Sequence, residues 1–163
     1  MTDGQRRVAD LVRTAFRGVT LGNGIGLLQG QGLDDYADSE TLRAYRSKDE
    51  KEDWSLISAV DLNGCSSSLS FFDAEGMRFH LPAYLIAHLE GTLSQDIVFH
   101  LVCFEHDAAS RFAALNEAQC NAVREFLLLC VSERNCEFER PMIEKALNEY
   151  WTAPDGTEHG GRS

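Results

Sequence analysis

Six of the thirteen glycines fall between residues 18 and 32, in the run GVTLGNGIGLLQGQG. Glycine loses more backbone freedom on folding than any other residue, and each one in a helix interior costs about 1 kcal/mol relative to alanine. The run therefore predicts a loop over 18–32 rather than a regular element. Ahead of it, Val8, Leu11, Val12, Ala15 and Phe16 recur at helical spacing with Arg and Asp between them. That pattern predicts an amphipathic helix over 4–17, stopped by Gly18.

Downstream, Asp38 or Ser39 caps a polar helix over 39–48 whose apolar stripe is only Leu42 and Tyr45. KDEKED (48–53) reads as a solvated charge run, and Trp54, Leu56, Ile57, Val60 and Leu62 mark a short buried stretch of helical turns. The strand signal lies in 68–80. SLSFF and MRFHL are joined by Asp73-Ala74-Glu75-Gly76, a connection ending in glycine that predicts an antiparallel hairpin. Pro82 suits the first turn of a helix over 82–90, which Gly91 stops. In 94–104 periodicity does not separate strand from helix, and Ser94 as N-cap with Asp96 in the first turn favours helix. Asn116 and Gln119 predict a capping box for a helix reaching Ser132. A last helix begins near Pro141 and carries Ile143, Ala146, Leu147, Tyr150 and Trp151. The expected architecture is α+β, mainly α, with about five or six helices around one short antiparallel β-hairpin. Leu11, Phe16, Trp54, Phe71, Phe79, Leu85, Phe126 and Leu127 are the expected core.

At 163 residues the chain is long enough for one core without metal or disulfide staples. A single globular domain is expected over 1–151, with 152–163 as a disordered tail. No apolar run reaches the roughly 18–20 residues of a membrane span. Cys65, Cys103, Cys120, Cys130 and Cys136 are odd in number and contain no CxxC pair. With an N-terminus that lacks the apolar stretch of a secretory signal, they predict a cytoplasmic location.

Motifs that carry chemistry fail on spacing. Gly24-x-Gly26-x-x-x-Gly30 puts Gln29 where a dinucleotide fingerprint needs glycine, and no P-loop lysine follows. Asp34, Asp35, Asp38 and Glu40 resemble a calcium loop, but Ser39 stands where the loop's glycine belongs. His100, Cys103 and His106 are metal-ligand types, yet on a helix they spread over about 240° and do not face one ion. Neither HExxH nor GxSxG occurs, and Cys65-Ser66-Ser67-Ser68 has no base nearby in sequence. His80, between Phe79 and Leu81, is expected at the hairpin edge. No cofactor and no metal site is expected.

The stretch Leu69–Leu85 resembles the signature of an uncharacterised bacterial domain family: an apolar strand, a D-x-x-G turn (Asp73–Gly76), R-F-x-L-P-A-Y (Arg78–Tyr84), then a helix. Ala15-Phe16, Trp54 and the spaced set Leu115, Gln119, Ala122, Val123, Phe126 and Leu127 extend the resemblance over roughly residues 10–130. It implies a fold plan but no reaction and no catalytic residues. The segment after 132 lies outside the resemblance.

Charge is the remaining guide. The net charge is −11, which disfavours nucleic acid and anionic membranes as partners. Residues 33–53 hold eight acids against four bases, and residues 54–110 hold seven acids against Arg78 alone. Such a field raises association rates with cationic partners. The expected function is a small acidic binding protein, in the form of an immunity protein that neutralises a cationic toxin by direct binding. Its expected contact residues are Asp34, Asp35, Asp38, Glu40, Asp49, Glu50, Glu52, Asp53, Asp73 and Glu75. Two other readings stay open: an adaptor that self-associates through Tyr150 and Trp151, and an enzyme whose site (His80, His88 or Cys65) assembles only in space.

Overall fold

The stretch expected to form a hairpin is a helix. Asp73 is extended, at φ −81° and ψ −176°, and its carboxylate accepts the Gly76 N–H at 2.9 Å, the bond of an N-cap to the first turn of a helix. The computed structural model describes residues 1–104, 108–133 and 139–152, and none of these is in a strand. The fold is therefore all-α among the described residues, not α+β. In order, the elements are α1 (Asp3–Ala15), α2 (Leu27–Asp34), α3 (Ser39–Lys48), a 3-10 turn (Trp54–Leu56), α4 (Ala59–Gly64), a second 3-10 turn (Ser68–Ser70), α5 (Ala74–Glu90), α6 (Ile97–Val102), α7 (Ala108–Arg111), α8 (Glu117–Ser132) and α9 (Arg140–Glu149).

The alternation in MRFHL misleads because α5 is the central helix. It buries Met77 and every residue from Phe79 to Leu85 at once, so no polar face remains to reveal the helical period. Pro82 lies inside this helix rather than at its first turn, removing one hydrogen bond within the buried segment. Around α5 pack α1, the first 3-10 turn, α4, α6 and α7. Outside that layer α8 covers α1, and α9 closes over α6 and α8. The α2–α3 helical hairpin joins the body through contacts of α2 with the second 3-10 turn.

Several expectations hold at their physical cause. Asn116 and Gln119 bond reciprocally, at 2.8 and 3.0 Å, and start α8. Gly91, at φ 77°, ends α5 in the left-handed region. Others need correction. Residues 27–32 of the expected loop are helical, as the first part of α2. Ser94 does not cap α6: Asp96 does, accepting the Phe99 N–H, while Ser94 bonds Asn63. Of the expected core, Phe16, Phe79, Leu85, Phe126 and Leu127 are fully buried and Trp54 nearly so. Leu11 is half-buried, and Phe71 is turned outward with Phe72 taking the core position. His80 is wholly buried rather than at an edge. The expected tail lies outside the described residues from 153 onward.

The remaining part of the glycine run, 18–26, is a loop held by side chains. Asp73 accepts Ile25 N–H at 2.9 Å and Glu75 accepts Asn23 N–H at 3.0 Å. The Arg46 guanidinium donates to the carbonyls of Gly22 and Gly24. Gly24 and Gly76 let the loop lie backbone on backbone against the first turn of α5, since a Cβ on Gly76 would stand 2.6 Å from the Ile25 carbonyl oxygen.

Candidate functional site

α2 ends in a motif that asks for glycine. Ala37 N–H donates to the Gly32 carbonyl at 2.9 Å and Tyr36 N–H to the Leu33 carbonyl at 3.2 Å, the paired bonds of a Schellman motif. The residue between the two helices must then be left-handed, and Tyr36 is so, at φ 59°. For a residue with a Cβ this costs about 1 kcal/mol relative to glycine. Among the described residues it is the one non-glycine with positive φ. Its ring returns nothing to the fold, because Tyr36 is 94% exposed.

Four of the expected contact residues surround this tyrosine. Asp34, Asp35, Asp38 and Glu40 are all exposed. Asp38 caps α3 by accepting the Thr41 N–H at 2.8 Å, and that hydrogen bonding holds its carboxyl below the usual carboxylate range. Asp34 accepts the Ser67 hydroxyl at 2.9 Å, which ties the hairpin tip to the body. Asp35 and Glu40 face water. Sequence reasoning named the acids but missed Tyr36. The signal available was a tyrosine in Leu33-Asp34-Asp35-Tyr36-Ala37-Asp38, at a helix end where this glycine-rich chain has none.

Five of the other six expected acids, Asp49, Glu50, Asp53, Asp73 and Glu75, hold groups of the fold, whereas Glu52 is exposed and bonds through its backbone N–H. Asp49 is buried at the foot of the hairpin, where its carboxylate accepts the N–H groups of Leu28 and Gln29 at 2.7 and 3.2 Å. It thereby caps α2, whose own N-cap, Gly26, has no side chain. Gly26 is required there, since a Cβ would stand 2.1 Å from an Asp49 carboxylate oxygen. Burial pushes the Asp49 carboxyl up, against the lowering effect of its two N–H bonds and of the Lys51 and Arg46 charges. The charge run is thus not simply a solvated face. Glu50 accepts the N–H groups of Glu52 and Asp53, Asp53 accepts from Ser55, and the Lys51 ammonium donates to carbonyls at the end of α3. Asp73 and Glu75 lie not on a hairpin but at the start of α5, holding the glycine loop.

Beside Asp49 lies a half-open groove of about 480 Å³. Its apolar wall is Leu27, Leu28, Leu56, Ile57 and Val60, and its polar groups are Lys48, Asp49, Glu50 and Asp61, with Cys65 and Gly64 completing the lining. Leu56 and Val60 are 67% and 79% exposed. Cys65 is buried, and its thiol is pushed up by burial first and then by the negative charges of Asp49, Asp61 and Asp35.

The groups considered for catalysis do not converge. His80 stacks on Phe72 inside the core at 4.3 Å between ring centroids, and His88 meets Phe126 edge-on. His100 lies beside the Arg111 guanidinium, Cys103 falls just past the end of α6, and His106 lies outside the described residues. No group of three or more His, Cys, Asp or Glu able to hold a metal occurs among the described residues. Tyr150 and Trp151 do not form an exposed patch. Trp151 is buried, donates its indole N–H to the Leu101 carbonyl at 2.8 Å, and clusters with Phe104, Phe112 and Tyr150.

The described part is thus an all-α module whose most exposed aromatic sits among carboxylates at a hairpin tip. No described helix is long and apolar enough to cross a membrane. A model of the family of unknown function DUF6714 matches residues 4–154, and the chain belongs to that family. The match runs through α9, so the segment after 132 is part of the family domain rather than an addition to it. No curated protein and no solved structure matches the chain.

Proposed function

We propose that this chain is an acidic protein-binding module that takes a cationic protein partner on the tip of the α2–α3 hairpin. The observation that carries the reading is Tyr36, 94% exposed at φ 59° between Asp34, Asp35, Asp38 and Glu40. An exposed tyrosine kept at a backbone position that favours glycine is a cost without a folding return, and such outliers concentrate at functional sites. A rigid aromatic ring with carboxylates around it suits arginine or lysine, through cation–π contact and charge-assisted hydrogen bonds. The surrounding field of a −11 chain adds to the association rate. Within this reading the partner is a cationic toxin and the chain an immunity protein, or toxin inhibitor, of the bacterial cytoplasm. The excess of acids over residues 33–53 and the exposure of Asp34, Asp35, Asp38 and Glu40 support that form.

Tyr36→Gly separates function from folding. Relieving the left-handed tyrosine should raise stability by about 0.5–1 kcal/mol in urea titrations, while removing the anchor. Affinity capture from the native host, at low and moderate salt, should then recover a basic protein with the native chain and lose it with Tyr36→Gly and with Asp35→Lys/Glu40→Lys. Equal recovery by the native chain and both variants refutes the reading.

A further inference from the structure

We propose that the groove beside Asp49 is a binding site for a small organic cation, an ammonium group on an apolar body. This inference rests on the groove alone and not on the hairpin tip, from which it is separated by the length of α2.

Two unexplained features meet there. Leu56 and Val60 are large apolar side chains, 67% and 79% exposed, on a lip that no described part of the chain covers. Below them, the Asp49 carboxylate is buried without an ion-pair partner among the described residues. Its two backbone bonds use one acceptor direction of each oxygen and leave others unused. The Lys51 ammonium donates to the carbonyls of Arg46 and Asp49, and it acts on the Asp49 carboxylate by charge alone, without an ion-pair contact. Glu50 and Asp61 add two more carboxylates at the wall against one lining cation, Lys48. Glu50 is held by the N–H groups of Glu52 and Asp53, so its charge is fixed in place before any ligand arrives. At about 480 Å³ the space is in the range of small-molecule sites. An anion is disfavoured by three carboxylates, and a neutral apolar ligand leaves the spare acceptor positions of Asp49 unfilled, since Lys51 and Arg46 act on its charge without an ion-pair contact among the described residues. A cation with a hydrocarbon body answers both the charge and the lip.

The test is an amide NMR titration of the full chain with three probes of equal chain length: hexylammonium, hexan-1-ol and hexanoate. Hexylammonium should give saturable shifts centred on Leu28, Ile57, Val60 and Gly64. Hexan-1-ol should bind the same residues about tenfold or more weaker, since it lacks the charge-assisted contact. Hexanoate should not bind. Glu50→Gln/Asp61→Asn should weaken hexylammonium about tenfold while leaving hexan-1-ol unchanged, and Val60→Ser should weaken both. These variants leave Asp49 and its cap intact. Tyr36→Gly should leave the titration unaltered, so failure here is distinct from failure at the hairpin tip. The proposal is overturned if hexylammonium shows no saturable shift, if its shifts lie elsewhere, or if hexanoate binds as well.

Discussion

Acidification should destabilise this protein through His80. The imidazole is wholly buried, with Nδ1 2.7 Å from the Gly76 carbonyl oxygen. A carbonyl only accepts, so Nδ1 carries the proton and Nε2 is left as a lone-pair acceptor. Nε2 has no hydrogen-bond partner among the described residues, and the ring face lies flat against Phe72, 5° from parallel. A second proton would place a charge there with nothing to receive it. Burial lowers the pKa from 6.5 to about 4, opposed only in part by the Gly76 carbonyl and by Asp73. Because the folded pKa is depressed, the unfolded chain binds the proton first. Stability is therefore intact above pH 6.5 and falls as the pH drops from 6.5 toward 4. Between pH 7 and pH 5 the loss from this one group is about 2 kcal/mol, and well below pH 4 it approaches 3 kcal/mol, roughly. The control is His80→Phe, which keeps the stacked ring and removes the titration. Urea unfolding of both proteins at several pH values gives the native-minus-variant difference. His88 and His100, also lowered by burial, are common to both and cancel. The difference should shrink by about 2 kcal/mol from pH 7 to pH 5. A difference that stays flat across that range would show that His80 is not held neutral by its surroundings.

Two further outcomes follow from the glycine loop and its clamps. Gly26→Ala drives a methyl into the Asp49 carboxylate and should cost about 1–3 kcal/mol in urea unfolding, with the α2 amides losing hydrogen-exchange protection first. Asp73→Ala removes acceptors for two N–H groups and Glu75→Ala for one, so in the same assay Asp73→Ala should cost more, about 1–2 kcal/mol against 0.5–1. Equal losses would contradict the hydrogen-bond assignment.

The parts of the fold that were legible in sequence are those whose signals are local. The capping box of Asn116 and Gln119, the Gly91 stop and the amphipathic stripe of α1 each act within a few residues. α5 is not legible because the same Asp-x-x-Gly spacing serves a hairpin turn and a helix N-cap. Its middle turns, Phe79–Leu85, are buried on every side, which erases the polar face that would decide between them. α2 was hidden for a different reason: its cap, Asp49, comes from 20 or more residues away in the chain, at the end of the next helix. The acidic field is visible from composition. Which carboxylates hold backbone is not, because Asp49, Asp73 and Glu75 accept from N–H groups of Leu28, Gln29, Ile25 and Asn23 that are distant in sequence. Tyr36 escaped because its importance lies in a backbone angle.

The two tryptophans give the molecule a built-in optical readout of its halves. Trp54 donates its indole N–H to the Phe16 carbonyl at 2.9 Å, beside α1 and α5, and Trp151 donates to Leu101 on the α6–α9 side. Each ring is buried and pinned to a different region, so each emission band reports its own neighbourhood. With one ring replaced by phenylalanine at a time, the pair distinguishes a chain that melts as a single cooperative unit from one whose C-terminal helices let go first.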